Sequence, residues 1–223
     1  MNNDYYSKKL LLVVDKLKQR ANFRNPIRIV VRKSIGFMRV DPRSFLALGM
    51  KNLPFIIIVH PSILKAWRKG ILNDKDLESL LAHELGHLKA FKLVILFLFM
   101  VNMMSLLASL IIEALFRVLV STGKFTVYYI TIWRMAFLLV ISLMMLRACI
   151  RFSEFKADEE ALIIVKREEL IGSYERVKAR SKELSLLMEE HPYTRVLKRI
   201  ILRYLFGYPT LSERIQRLKR YRT

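Results

Sequence analysis

Cysteine is nearly missing from this chain. Cys149 is the only one in 223 residues, so no intrachain disulfide forms and no cysteine-based zinc cluster can be built. Acidic residues are scarce too: 19 Asp and Glu face 39 Lys and Arg, a formal net charge of +20. That balance suits nucleic acid, an anionic membrane surface or an acidic partner, and does not choose among them. There is no internal repeat, low-complexity tract or long linker. No cleavable signal peptide is expected, because the apolar run Leu10–Val14 is short and Asp15, Lys16 and Lys18 follow it. Residues 4–21 read instead as an amphipathic, basic helix lying on a surface. With 53% apolar residues the chain has ample material for a core, which excludes disorder.

Charge is absent altogether from Leu93 to Ile112, a run of the roughly 20 apolar residues that a helix needs to cross a hydrocarbon layer. A second stretch, Phe125–Ile150, is interrupted only by Arg134 and Arg147 and reads as a second span with its arginines near the interfaces. The connecting turn is Ser121-Thr122-Gly123-Lys124. Lys89 and Lys92 precede the first span, and Arg147, Arg151 and Lys156 lie at or beyond the end of the second, while only Lys124 occupies the turn. The hairpin is therefore expected to point outward from a cell membrane, with both termini in the cytoplasm. Glu113 and Arg134 lie at similar distances from the turn, where they can pair across the two helices or face the outer interface. The chain then divides into residues 1–92, a transmembrane hairpin at 93–150, and a helical part at 151–223.

Before the hairpin, β-rich runs occupy Ile27–Val31, Gly36–Val40, Ser44–Gly49 and Phe55–Val59, punctuated by Pro26, Pro42 and Pro54; they predict a small sheet. A short helix is expected around Ile63–Trp67, closed by Gly70. Asn73, with Asp74 and Asp76 behind it, caps a further helix whose Leu77, Leu81, Leu85 and Leu88 form one apolar stripe. After the hairpin, helix is expected from Glu159 to about Glu190 and from Tyr193 to Phe206. A last helix starts at Thr210, where Thr210 and Glu213 make a capping box. The fold class is α+β and mainly helical.

That capped helix carries His83-Glu84-Leu85-Gly86-His87. Histidines four apart project from one helix face and reach one metal ion, and the intervening Glu84 stands beside the open coordination position as a base for water. A third ligand is still needed, and zinc hydrolases commonly draw it from a carboxylate on a separate helix. Glu154 in "RFSEFKADEEA" is the leading candidate, with Asp158 one turn on to receive a hydrogen bond from a ligand imidazole; Glu159 and Glu160 compete. A metal shared by His87 and Glu154 requires both to lie on one side of the bilayer, which two crossings satisfy. Each is about 9 Å along a helix from the nearest apolar segment.

These residues resemble those of the HtpX and CAAX-prenyl-protease family of integral-membrane zinc metallopeptidases. The likeness lies in "SFLALG" at 44–49, "LESLLAHELGHLKA" at 77–90, "EFKAD" at 154–158 and "YPTLSERIQRL" at 208–218. It implies a zincin-like domain with an inserted membrane hairpin and one zinc per chain held by His83, His87 and Glu154. Glu84 would be the general base and Asp158 a supporting carboxylate. Ser44, Phe45, Leu46, Ala47, Leu48 and Gly49 would form the edge strand that pairs with an extended peptide. Where the family has a His-Pro pair this chain has Tyr208-Pro209, and a tyrosine hydroxyl can donate to an oxyanion. Arg214 matches the family's arginine and would brace the site. His191, before Pro192, ranks below Tyr208, and His60 reads as structural. The implied substrates are membrane proteins, beside an anionic lipid surface. Rival readings are a narrow processing protease, an idle zinc-binding adaptor, and a nucleic-acid binder, for which no reading motif appears. The oligomeric state is open.

Overall fold

The computed structural model describes residues 3–24, 26–31, 34–35, 38–39, 45–48, 55–119, 124–186, 201, 203 and 207–221. Strands β1 (Ile27–Val31), β4 (Phe45–Leu48) and β5 (Phe55–Val59) form one sheet in the order β1-β5-β4. The central β5 runs parallel to β1, with Ile27 opposite Phe55, and antiparallel to β4, with Phe45 opposite Val59. Its run of isoleucines suits a strand enclosed on both sides, and Ile57, Ile58 and Val59 are buried. Of the strand expected over Gly36–Val40, the described part is β3 (Met38–Arg39), which pairs with β2 (Ser34–Ile35) as an antiparallel ribbon; residues 36, 37 and 40 lie outside the described residues. A link of only two residues, starting at Gly36, favours that local hairpin over joining the main sheet.

Helix α2 (Pro61–Arg68) begins where His60 Nδ1 accepts the Ser62 N–H at 3.2 Å, with Pro61 in the first turn, and is followed by Gly70 at φ +69°. Helix α3 (Asp74–Leu119) opens on a reciprocal cap. Asn73 Oδ1 accepts the Asp76 N–H at 2.8 Å, and Asp76 Oδ2 accepts the Asn73 N–H at 3.0 Å. Between His87 and Leu119 there is no glycine or proline to stop it, so the motif helix and the first apolar segment are one 46-residue rod. Helix α4 (Lys124–Ala161) likewise runs unbroken from the second apolar segment into "EFKAD" and packs along α3.

Two stretches are long and apolar enough to cross a membrane, Leu93–Ala114 and Ala136–Ala161. Their side chains point outward, with Phe99 59%, Leu139 62% and Met144 67% exposed, unlike core helices of a soluble domain. The end of the second stretch, from Arg151 onward, holds Arg151, Glu154, Lys156 and Asp158, so its apolar part ends near Ile150. The side chain of Arg134, and residues 120–123 of the turn, lie outside the described residues.

Helix α1 (Asn3–Arg20) corrects the reading of residues 4–21 as a surface helix. Leu10, Val14 and Leu17 are buried in the core with Leu77, Leu81 and Leu85 of α3. Lys9 pairs with Asp74 at 3.0 Å and Lys16 with Glu78 at 3.2 Å, at the end of α3 lying about 20 to 30 Å from Leu93. The helical stretch expected from Glu159 to Glu190 is also broken. α4 stops at Ala161, and α5 (Arg167–Ala179) and α6 (Ser181–Leu186) follow. The cause is the β-branched run Ile163-Ile164-Val165, which turns so that Ile164 and Val165 enter the core. Most of Tyr193–Phe206, and His191, lie outside the described residues. Helix α7 (Leu211–Arg220) has the expected box: the Glu213 N–H donates to Thr210 Oγ1 at 3.2 Å and the Thr210 N–H to Glu213 Oε2 at 2.6 Å.

Candidate metal centre

α3 and α4 cross at Gly86. A Cβ there would overlap the Ala157 carbonyl, so the glycine between the two histidines is what lets the helices touch. The contact sets His83 and His87 against the residues either side of Ala157, namely Glu154 and Asp158. Nε2 of His83 lies 3.4 Å from Glu154 Oε2, and Nε2 of His87 lies 3.2 Å from Glu154 Oε1. One ligand atom from each of His83, His87 and Glu154 falls within 4.8 Å of the other two, and the two rings meet edge to face at 4.5 Å.

Each imidazole is held from behind. His83 Nδ1 lies 3.0 Å from Asp158 Oδ1, and His87 Nδ1 lies 3.3 Å from the Ser153 hydroxyl. With Nδ1–H donated to these oxygens, both Nε2 atoms would stand unprotonated toward Glu154, the tautomer a metal needs. Arg214 is buried and bonds Asp158 through Nε at 2.8 Å and Nη2 at 2.5 Å, and Glu154 Oε2 through Nη1 at 3.2 Å. Its Nη2 lies 2.9 and 3.2 Å from the two ring nitrogens of His83, so it crosses the ring face and cannot bond both. Tyr174 of α5 completes the cluster. Its hydroxyl donates to Asp158 Oδ1 at 2.6 Å and contacts Arg214, whose guanidinium carbon lies 4.4 Å from the ring centre.

Glu84, also buried, is pushed up to about 8, first by loss of hydration and then by the Glu154 charge, against the opposing pull of His87 and Arg214. Three buried carboxylates, Glu84, Glu154 and Asp158, thus face one buried guanidinium among the described residues. Two imidazoles, a carboxylate and an excess of negative charge make a donor set that fits a divalent zinc ion.

Tyr208 reaches the centre but meets a ligand: its hydroxyl donates to Glu154 Oε1 at 2.6 Å. Burial and the Glu154 carboxylate hold this phenol well above its ordinary range, so it stays a proton donor. The competing carboxylates point elsewhere, Glu159 to Lys156 and Arg217 at 3.1 and 3.0 Å, and Glu160 to Lys89 at 3.3 Å. His60 caps α2. β4 is an edge strand beside α3, with no further strand on its open side among the described residues; Ser44 and Gly49 lie outside them. Sequence reasoning missed Ser153, Tyr174 and the use of Gly86. The first is adjacent to Glu154 in sequence, whereas Tyr174 reaches the site only through the packing of α5, which no local pattern reveals.

A helix pair presenting two histidines, a carboxylate and a buried glutamate is the arrangement of a metallopeptidase of the His-Glu-x-x-His type. The model of peptidase family M48 matches residues 45–222, most of the chain. The chain belongs to that family of zinc metallopeptidases. No curated protein and no solved structure matches it.

Proposed function

We propose that this chain is a membrane-anchored zinc endopeptidase of HtpX-like type, cleaving membrane or membrane-proximal proteins at the cytoplasmic face. The observation that carries the reading is that the two helices bearing His83, His87 and Glu154 continue without a break into the two apolar segments. A centre built this way stands about 10 Å from the end of the first segment. The distribution of lysine and arginine around the hairpin favours the cytoplasmic side.

His83, His87 and Glu154 would hold the zinc, which when bound would supply Lewis acidity and a more acidic water. Glu84 accepts a proton from the attacking water and returns it to the leaving amine. Asp158, gripped by Arg214 and Tyr174, keeps His83 oriented. Tyr208 donates to the carbonyl oxygen as it gains charge. The open edge of β4 aligns an extended peptide along α3. Some of the basic residues that raised a nucleic-acid reading are engaged within the domain, as in Arg151 with Glu213 and Lys219 with Glu175.

Purified in detergent and given an unstructured membrane-proximal peptide, Glu84→Gln should keep one zinc per chain and lose cleavage, and His87→Ala should lose both. A Glu84→Gln chain that cleaves as fast as its parent refutes the mechanism; zinc binding without cleavage by the parent points to an adaptor.

A further inference from the structure

The catalytic role proposed for Tyr208 needs a free hydroxyl, yet that hydroxyl is already engaged with Glu154 Oε1, the oxygen nearest His87 Nε2. The backbone carrying it is pinned on both sides. Gly207 sits at φ +64° with the stem of the Arg147 side chain where a Cβ would be. Pro209 is buried with its φ fixed by the ring, and Thr210 is locked into the capping box of α7. These contacts restrain the segment from Gly207 to Thr210, and the motion at issue is rotation about the tyrosine's own side-chain bonds. The ring has room for that, being 40% exposed while its hydroxyl points inward.

We propose that Tyr208 works between two stations. At rest it parks on Glu154 and steadies the ligand carboxylate. When a peptide occupies the site it rotates to the carbonyl oxygen, whose growing charge outcompetes the Glu154 carboxylate, already engaged by Arg214 and facing both imidazoles. This rests on the metallopeptidase reading and adds to it a resting state in which the oxyanion donor is stored on a metal ligand. Glu154 is left with Arg214 Nη1 on its other oxygen when the tyrosine departs, so the carboxylate keeps a hydrogen bond in both states.

A phosphinic peptide, tetrahedral and anionic, tests the second station in the zinc-loaded full chain. Tyr208→Phe should weaken its binding by about 10²- to 10³-fold, the loss typical of one oxyanion donor, while the KM of a matched peptide substrate changes little. A 3-fluorotyrosine at position 208 should show a fluorine resonance that moves when the phosphinic peptide saturates the site. If the parent binds the peptide and Tyr208→Phe binds it equally well, or the resonance stays put, Tyr208 is a fixed prop for Glu154 and the two stations are wrong. A parent that loads zinc but never binds the phosphinic peptide overturns the peptidase reading and the stations with it.

Discussion

Gly86→Ala is the substitution on which the geometry is most exposed. In an ordinary helix interior it would stabilise by about 1 kcal/mol, because alanine is the better helix former. Here the added Cβ would lie 2.9 and 3.0 Å from the Ala157 carbonyl carbon and Cα, and nearer still to the oxygen. Carbon atoms prefer about 3.5 to 4.0 Å, so α3 and α4 must part by roughly 1 Å or absorb the strain. Ligand distances at a zinc site tolerate about 0.2 Å, and His83 and His87 stand on one helix with Glu154 on the other. Parting the helices therefore costs the metal. Holding them together costs about 1 to 3 kcal/mol of overpacking, or roughly 2 to 12 °C in melting temperature for a chain of this size. Zinc content per chain and thermal melting in detergent, parent against variant, read out both routes. A Gly86→Ala chain that binds one zinc and melts at or above the parent's temperature would falsify the crossing described here.

Two further outcomes follow from the same centre. Tyr174→Phe keeps the buried ring and removes the donor to Asp158, so chelator competition should find zinc affinity about 10- to 100-fold weaker with helix content unchanged. With the metal stripped by chelator, Glu84 should make stability pH-dependent. Its carboxyl holds a proton in the fold up to about 8 that the unfolded chain releases near 4.5, so the parent loses stability as pH rises between those values and levels off above. Stripped Glu84→Gln should lack that slope; parallel melting curves for the two chains from about pH 5 to 9 would refute the assignment.

What could be read from the chain directly was whatever repeats with a helix or ends one. The spacing of His83 and His87, the leucine stripe beginning at Leu77, the Glu154–Asp158 pair and the box at Thr210 all express contacts within one or two turns, and all stand where periodicity put them. Arg214 was legible as a bracing group from family likeness alone; its fork onto Asp158 and Glu154 depends on where α7 lands. The docking of α1 was misjudged because an amphipathic stripe says that a face is covered and not by what. Leu10, Val14 and Leu17 found α3. The break after Ala161 escaped notice because α-helical charge spacing continues past it, while the burial of Ile164 and Val165 that causes it is a tertiary gain.

The unbroken course of α3 and α4 has a mechanical consequence. Gly86 against Ala157 is the crossing point, His83, His87 and Glu154 lie within one turn of it, and both helices continue from there through the apolar segments. No loop lies between to absorb a change in crossing angle. In the bilayer setting proposed here, a thinner or thicker hydrocarbon layer that tilts the hairpin would reach the ligand set as strain, making lipid composition a determinant of how tightly the metal is held.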